Sequence, residues 1–187
     1  THFVALMDHI RNHRIESGER VVFGVAASGV TSGTALYTLD DLPDRLRRPT
    51  LPAGRNGRSD ARDAAPRNRV RVRIESVGVL PDARHRPSDT IAMLTAAAET
   101  CLRDSRYRPG DIEVIVNAGV YRDDFLCEPA VASIVAGRLQ RGCPSPDEQE
   151  TLAFDLTNGS LGTLEACYVA ANLIASGRFR TAMVLAA

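Results

Sequence analysis

The sequence predicts an α/β fold in which helices are layered around a mainly parallel sheet. Short apolar runs alternate with longer amphipathic segments between residues 112 and 187, and strands that alternate with helices are typical of a parallel sheet covered by helices. Hydrophobic residues make up 44% of the 187-residue chain, which excludes a disordered composition. A chain of this length can bury a core without disulfides or metal.

The charge balance excludes several classes of partner and chemistry. The chain carries 23 basic and 23 acidic side chains, and every basic one is Arg. With no excess positive charge to set against phosphates, we expect no nucleic-acid partner. The absence of Lys excludes Schiff-base chemistry within this stretch. No apolar run approaches the roughly 20 residues of a membrane helix and no secretion signal is visible, so we expect a cytoplasmic protein with no membrane contact.

The first part of the chain is predicted to form a helix and a hairpin. Apolar residues at helical spacing predict a helix over 2–14, and two apolar runs, 21–25 and 34–39, predict paired strands. Residues 47–68 are mainly Arg, Pro, Gly, Asp and Ala. Such a composition buries too little apolar surface to offset its ordering entropy, so we interpret 47–68 as a flexible linker.

A second unit is predicted to begin after the linker. Residues 69–74 alternate strictly between Arg and an apolar residue, which predicts a strand with three Arg on one face. Those arginines are either a phosphate-binding stripe or a solvated face paired with acids. Ser88-Asp89-Thr90 predicts the N-cap of a helix that reaches about residue 105, and 112–116 predict the next strand.

The remaining segments continue the alternation. Glu128 and Pro129 open a predicted helix that ends near residue 139, with Pro in its first turn. Residues 151–156 and 181–187 predict strands, and 160–176 predict a long helix that Gly177 ends. The chain stops directly after a strand, so we expect it to be an excerpt of a longer protein.

The cysteines and histidines match no metal motif. Four cysteines lie at spacings of 26, 16 and 24 residues, which fit neither zinc nor redox motifs, and we interpret them as free thiols. His9 and His13 are spaced to share a helix face, but no third ligand is evident. We therefore predict exposed helix histidines and no metal site.

One motif points to a known family. Residues 153–187 read Ala-Phe-Asp-Leu-Thr-Asn-Gly-Ser-Leu-Gly, then a helix of small residues and a strand of Val, Leu and Ala. This segment resembles the nucleophile segment of the ketoacyl-ACP synthase III family in the thiolase superfamily. Residues 112–119 resemble the family's second strand, and 128–132 resemble the start of its next helix. Residues 19–39 are similar to its C-terminal hairpin, whose glycine-rich loop forms part of the active site.

The order of these segments predicts two fused domains. A signature that resembles the C-terminal end of the family precedes one that resembles its N-terminal half. We therefore expect residues 1–46 to end one thiolase-like domain and residues 69–187 to form the N-terminal half of a second.

The resemblance implies a condensing enzyme or acyltransferase of fatty acid or polyketide biosynthesis, with Ser160 as nucleophile. In the family, a cysteine at the N-terminus of a buried helix takes an acyl group from a thioester, and Ser160 stands at this position. The helix dipole and unpaired N–H groups stabilise the anions that form. A hydroxyl is far less acidic than a thiol, so Ser160 needs a neighbouring base. The alternative is that Ser160 caps a helix in a domain that has lost acyl transfer.

Glu128 is the base that the resemblance implies. In the branch that joins two acyl chains, a Glu in this Glu-Pro context reaches across the dimer toward the partner's nucleophile. The alternative is that Glu128 only favours a helix N-terminus. The resemblance also implies that backbone N–H groups at Ser28 and Gly29 complete an oxyanion hole in their own domain, the upstream one that residues 1–46 end. Cys167, seven residues after Ser160, is interpreted as a small buried hydrophobe, and Cys127 as lining an acyl pocket or a dimer contact.

The implied partners are an acyl thioester and a second copy of the chain. The substrate is carried by acyl carrier protein or coenzyme A, and no cofactor is implied. Few residues separate the first predicted strand from Ser88, and Trp is absent, which weakens the case for coenzyme A. The competing function is a degenerate ketosynthase-like domain that serves as a dimerisation scaffold. An α/β-hydrolase is a weaker alternative, since the serine lacks the Gly-x-Ser-x-Gly elbow.

Overall fold

The computed structural model describes residues 2–27, 31–47, 70–80, 89–123, 128–140 and 151–187. These ranges contain five helices and five strands in the order α1 (His2–Arg11), β1 (Arg20–Ala27), β2 (Thr31–Thr38), α2 (Leu42–Arg47), α3 (Thr90–Arg103), β3 (Val114–Asn117), α4 (Val131–Leu139), β4 (Leu152–Asp155), α5 (Gly162–Ala175) and β5 (Ala182–Leu185). None of the described helices is long and apolar enough to cross a membrane.

The three strands β3, β4 and β5 form the predicted parallel sheet, with β3 in the centre. Val114 and Val116 of β3 are fully buried against α5, and Ile115 is buried on the opposite face against α3 and α4. A central strand buried on both faces accounts for its continuous apolar sequence. The α/β prediction is therefore confirmed in the described residues.

The predicted hairpin is confirmed, and it packs against the start of α5. Strands β1 and β2 pair antiparallel from Arg20↔Thr38 to Ala27↔Thr31. Phe23 of β1 shares one buried cluster with residues of α1 and α2 and with Leu161 and Leu164 at the start of α5. The hairpin therefore lies against the start of the helix that follows Ser160.

The strand predicted over 69–74 is wrong. In the described range 70–80 the backbone joins no β-ladder, and Val70 and Val72 are 54% and 38% exposed. An alternating pattern becomes a strand only where a neighbouring strand supplies backbone partners, and this segment packs on α3 instead. Arg73 pairs with Glu75 at 2.9 Å, which favours acid-paired arginines over a phosphate stripe.

The predicted helices α3, α4 and α5 are confirmed, but α4 and α5 begin a few residues later than predicted. Helix α3 begins after Asp89, whose carboxylate accepts the N–H of Ala92 at 2.6 Å, as the N-cap prediction requires. Helix α4 begins at Val131, so Pro129 precedes the helix and does not lie in its first turn. Gly177 follows α5 with a φ of +77°, the left-handed conformation that glycine favours after a helix.

Two further differences concern short segments. Helix α2 was not predicted, because Asp40-Asp41-Leu42-Pro43 carries turn signals and only one turn of apolar spacing follows. The linker assigned to 47–68 lies outside the described residues after Arg47.

Candidate functional site

Ser160 lies in a 3₁₀ turn, Gly159–Leu161, which we call the Ser160 turn. This turn joins the carboxyl edge of the parallel sheet to α5, which begins at Gly162. Gly159 has a φ of +47°, a backbone conformation that favours glycine. A Cβ on Gly162 would lie 3.1 Å from the carbonyl oxygen of Ala118. The two glycines therefore let the turn lie close against the end of β3.

The Ser160 hydroxyl is exposed at the leading end of a 14-residue helix. It makes no hydrogen bond to another residue of the described chain. The N–H groups of Leu161 and Gly162 donate to the carbonyl of Asn158 at 3.0 and 3.1 Å. The dipole of α5 favours negative charge at this turn, while these two N–H groups are already engaged.

Asn158 and Glu165 form a polar contact that the sequence analysis missed. The Asn158 side-chain amide donates to the Glu165 carboxylate at 2.7 Å, and Glu165 lies in the first turn of α5. An acidic residue near the start of the predicted helix 160–176 is a signal that could have drawn attention to it. The contact ties the residue before the Ser160 turn to the helix that follows.

The structure does not bring Glu128 into contact with Ser160 within one chain. Glu128 is exposed, three residues before α4, and it makes no hydrogen bond or ion pair among the described residues. Its carboxylate is therefore open to solvent or to a partner molecule.

A second carboxylate was missed by the sequence analysis and lies between these two segments. Asp155 ends β4, and its side chain is only 10% exposed. Its oxygens accept the first two N–H groups of α4, from Val131 and Ala132, both at 2.9 Å. Arg122 also donates to it at 2.7 Å. An Asp at the predicted end of a parallel strand is the signal that could have revealed it.

Several of the predicted site residues lie outside the described residues, although the strands beside two of them are described. Ser28 and Gly29, assigned to the oxyanion hole, lie outside the described residues, as do Cys127 and Cys143. The two strands that flank residues 28–30 are described, and β1 contacts the Ser160 turn.

Cys167 is a free, partly buried thiol. Burial raises its pKa to about 11, although a hydrogen bond from the Tyr37 hydroxyl opposes the shift. Burial, together with the neighbouring thiol, raises the pKa of Tyr37 to about 12. A thiol with this pKa is a poor nucleophile at neutral pH, which agrees with its interpretation as a small hydrophobe. Cys101 is free as well, and burial raises its pKa.

The histidine pair does not form on one helix face as predicted. Helix α1 ends at Arg11, and His13 lies beyond it with a φ of 53° and pairs with Glu16 at 3.7 Å. No group of three or more His, Cys, Asp or Glu suited to a metal ion occurs in the part of the chain that the structure describes.

Ser160 lines neither of the two best-formed cavities of the described chain. One, of about 210 Å³, lies between α1 and β1, and the other, of about 350 Å³, lies beside the end of α3. The serine site is therefore an exposed turn that lies outside both of these cavities.

Comparison with known proteins finds similar solved structures. Xanthomonas campestris OleA with bound lauric acid and lauroyl-CoA is 27% identical, with a TM-score of 0.47, over 55% of this chain and 28% of that chain. The 3-oxoacyl-(acyl carrier protein) synthase III, FabH, of Xanthomonas oryzae is 28% identical, with a TM-score of 0.46, over 52% of this chain and 27% of that chain. OleA with cerulenin is 27% identical over 54% of this chain.

No family model and no curated protein sequence matches the chain. The chain spans less than a third of the length of these structures, because its matched residues cover only 28% of the OleA chain and 27% of the FabH chain. Over about half of its own residues the chain is similar to OleA and to the 3-oxoacyl-(acyl carrier protein) synthase III, FabH.

Proposed function

We propose that the chain is part of a condensing enzyme of the ketoacyl-ACP synthase III type that transfers an acyl group from a thioester to Ser160. The observation that carries the proposal is the position of Ser160 in an exposed turn that opens a 14-residue helix at the carboxyl edge of a parallel sheet. Ligands of open α/β sheets bind at this edge, and a helix N-terminus favours the negative charge of an oxyanion.

The proposed step is a simple acyl transfer. The Ser160 oxygen attacks the carbonyl carbon of the thioester, the carbon–sulfur bond breaks, and the acyl group remains on the serine as an ester. A base takes the hydroxyl proton and returns it to the departing thiolate. The N–H groups of Leu161 and Gly162 already donate to Asn158, and β1 contacts the Ser160 turn. We therefore assign the oxyanion donors of this site to the backbone of Ser28 and Gly29, in place of the upstream domain's own site that the resemblance implies.

We assign the base to Glu128, acting on the Ser160 of a second copy of the chain. Its carboxylate is exposed and unpaired in the described residues, so it is available to a partner molecule. A base in the partner subunit explains why the two residues do not meet within one chain. The proposed assembly is therefore a homodimer.

Mass spectrometry of the protein after incubation with lauroyl-CoA or a lauroylated carrier protein tests the proposal. We expect an acyl adduct on the peptide that contains Ser160, and none in Ser160→Ala. Ser176→Ala is the matched control, because Ser176 is exposed at the opposite end of the same helix. Ser160→Cys should acylate faster, since a thiol ionises more readily. No adduct in either the wild type or Ser160→Cys would contradict the proposal.

Mixed dimers test the role of Glu128. As homodimers, Ser160→Ala is expected to be inactive and Glu128→Gln to be strongly slowed but still measurable. Mixing them creates dimers in which one intact Ser160 faces one intact Glu128, and acylation should return. If mixing restores nothing while Glu128→Gln alone is slow, the base acts within its own chain.

The second candidate function is a dimerisation scaffold without acyl transfer. It is favoured by the position of Ser160 outside both of the best-formed cavities. A full-length protein that makes product while Ser160→Ala leaves the rate unchanged would support this alternative.

A further inference from the structure

The Ser160 turn and the entry to α4 are joined by one buried side chain. Asp155 ends β4, five residues before Ser160, and accepts N–H groups at the start of α4, three residues after Glu128. We propose that Asp155 is a positioning residue that fixes the segment carrying Glu128 relative to the Ser160 turn. This inference rests on the proposed function, because it concerns the two residues that carry the proposed chemistry.

The capping of α4 comes from a distant part of the sequence. An ordinary helix is capped by the residue just before it, but Ala130 offers no side-chain acceptor. The cap is instead supplied by Asp155, which is 24 residues away from Val131. The hydrogen bonds that complete the helix are therefore the same bonds that hold it to the end of β4.

Both oxygens of Asp155 are used, which fixes its orientation. One oxygen accepts from Ala132, and the other accepts from Val131 and from Arg122. Charge-assisted hydrogen bonds to both oxygens are stronger and more directional than a single neutral one. Arg122 follows β3 and thereby ties a third segment of the same sheet edge to this carboxylate.

A small displacement of the start of α4 would move Glu128 and change the reaction rate. Only Pro129 and Ala130 separate Glu128 from α4, and Pro has a fixed φ, so a shift of the helix start carries Glu128 with it. A misplacement of about 1 Å in a catalytic group lowers rates by roughly a hundredfold. Asp155 touches neither substrate nor reacting atoms in this proposal and acts only through the segments that it holds.

Glu113 provides a matched control for Asp155. Its side chain is 7% exposed, and it likewise accepts a backbone N–H and an Arg side chain, both from Arg180. Glu113 precedes β3, so it lies at the amino edge of the sheet, away from Ser160. A general loss of stability should be similar in Glu113→Gln and Asp155→Asn, but only Asp155→Asn should affect the Ser160 site.

Kinetic cycles in the dimeric protein test the proposal. The rate of adduct formation on Ser160 is measured with varied lauroyl-CoA for Asp155→Asn, Glu128→Gln, Glu113→Gln and the double variants. Asp155→Asn should lower kcat roughly ten- to a hundredfold with KM unchanged. Combined with Glu128→Gln it should add less than about a twofold further loss, because the base is already gone. Losses that multiply, or an equal loss of kcat in Glu113→Gln, would overturn the proposal.

Amide hydrogen exchange separates this inference from the proposed function. In Asp155→Asn, exchange at Val131 and Ala132 and in the Ser160 turn should become faster, and in Glu113→Gln both should stay as in the wild type. This result would support the positioning role of Asp155 even if Ser160 took no acyl group. Unchanged exchange at these sites in Asp155→Asn would overturn that role even if Ser160 is acylated.

Discussion

Replacing Gly78 with Ala is the sharpest test of how the segment 70–80 is held. A Cβ built at this position would lie 2.1 Å from the carbonyl oxygen of Ala97, 2.4 Å from the backbone nitrogen of Cys101 and 2.7 Å from its Cβ. The first two are backbone atoms of α3, which cannot rotate away. The added methyl group must therefore push the whole segment off the helix.

The expected loss follows from the contacts that this movement breaks. Overpacking at a tight site costs about 1 to 3 kcal/mol. The Ser76 hydroxyl, which donates to the carbonyl of Cys101 at 3.0 Å, would lose this hydrogen bond at a cost of about 1 kcal/mol. We therefore expect Gly78→Ala to lower the free energy of unfolding by about 2 to 4 kcal/mol.

Gly137→Ala provides a control with the same chemical change. Gly137 lies in α4, and a Cβ there would meet nothing within 4 Å. Alanine in a helix is more stable than glycine by about 0.5 to 1 kcal/mol, so this variant should be slightly stabilised. Urea unfolding followed by far-ultraviolet circular dichroism measures both variants. A Gly78→Ala protein within about 0.5 kcal/mol of the wild type would refute the packing of 70–80 on α3.

Three further predictions concern the sheet and α5. Glu113→Ala should lower the free energy of unfolding in urea by about 1 to 3 kcal/mol, because the partly buried hydrogen bond from the backbone N–H of Arg180 loses its acceptor; an unchanged midpoint would argue against the bond. Gly162→Ala should lower the free energy of unfolding by about 1 kcal/mol, since the new Cβ would lie 3.1 Å from the carbonyl oxygen of Ala118, directly after β3. Calorimetry measures this loss, with Ser160→Ala as the control. Stability should fall as pH rises from about 9 to about 11, because the buried Cys167 thiol keeps its proton while the unfolded thiol loses it. Urea midpoints at several pH values measure the fall, and Cys167→Ala should reduce it; an identical slope would refute this assignment.

Local patterns predicted most of the elements. Helix α3 was predicted from the N-cap segment Ser88-Asp89-Thr90, because a helix cap is encoded by adjacent residues. In the structure its residues Leu94, Ala98 and Leu102 are buried in one core cluster, as 3.6-residue spacing requires. The three parallel strands and the hairpin were predicted as well, since their apolar runs are bounded by turn signals.

The same local reasoning failed where a partner was needed. Residues 70–74 alternate like a strand, but no described strand lies beside them, so the pattern had no ladder to join. Helix α2 was missed because its stability comes from contacts far along the chain. Arg45 donates to the carbonyl of Ile74 at 2.9 Å, and Arg47 donates to that of Ile10 at 2.8 Å.

For the candidate site, too, the sequence indicated some features and only the tertiary structure showed the others. The sequence pattern placed Ser160 at the beginning of a predicted helix, and the resemblance of residues 153–187 to the family's nucleophile segment made it the candidate nucleophile. Only the tertiary structure decided that Glu128 stays apart from Ser160 in one chain and that Asp155 bridges their segments. A strand or helix is encoded by neighbours in sequence, whereas a hydrogen bond between residues 24 apart depends on how the chain packs.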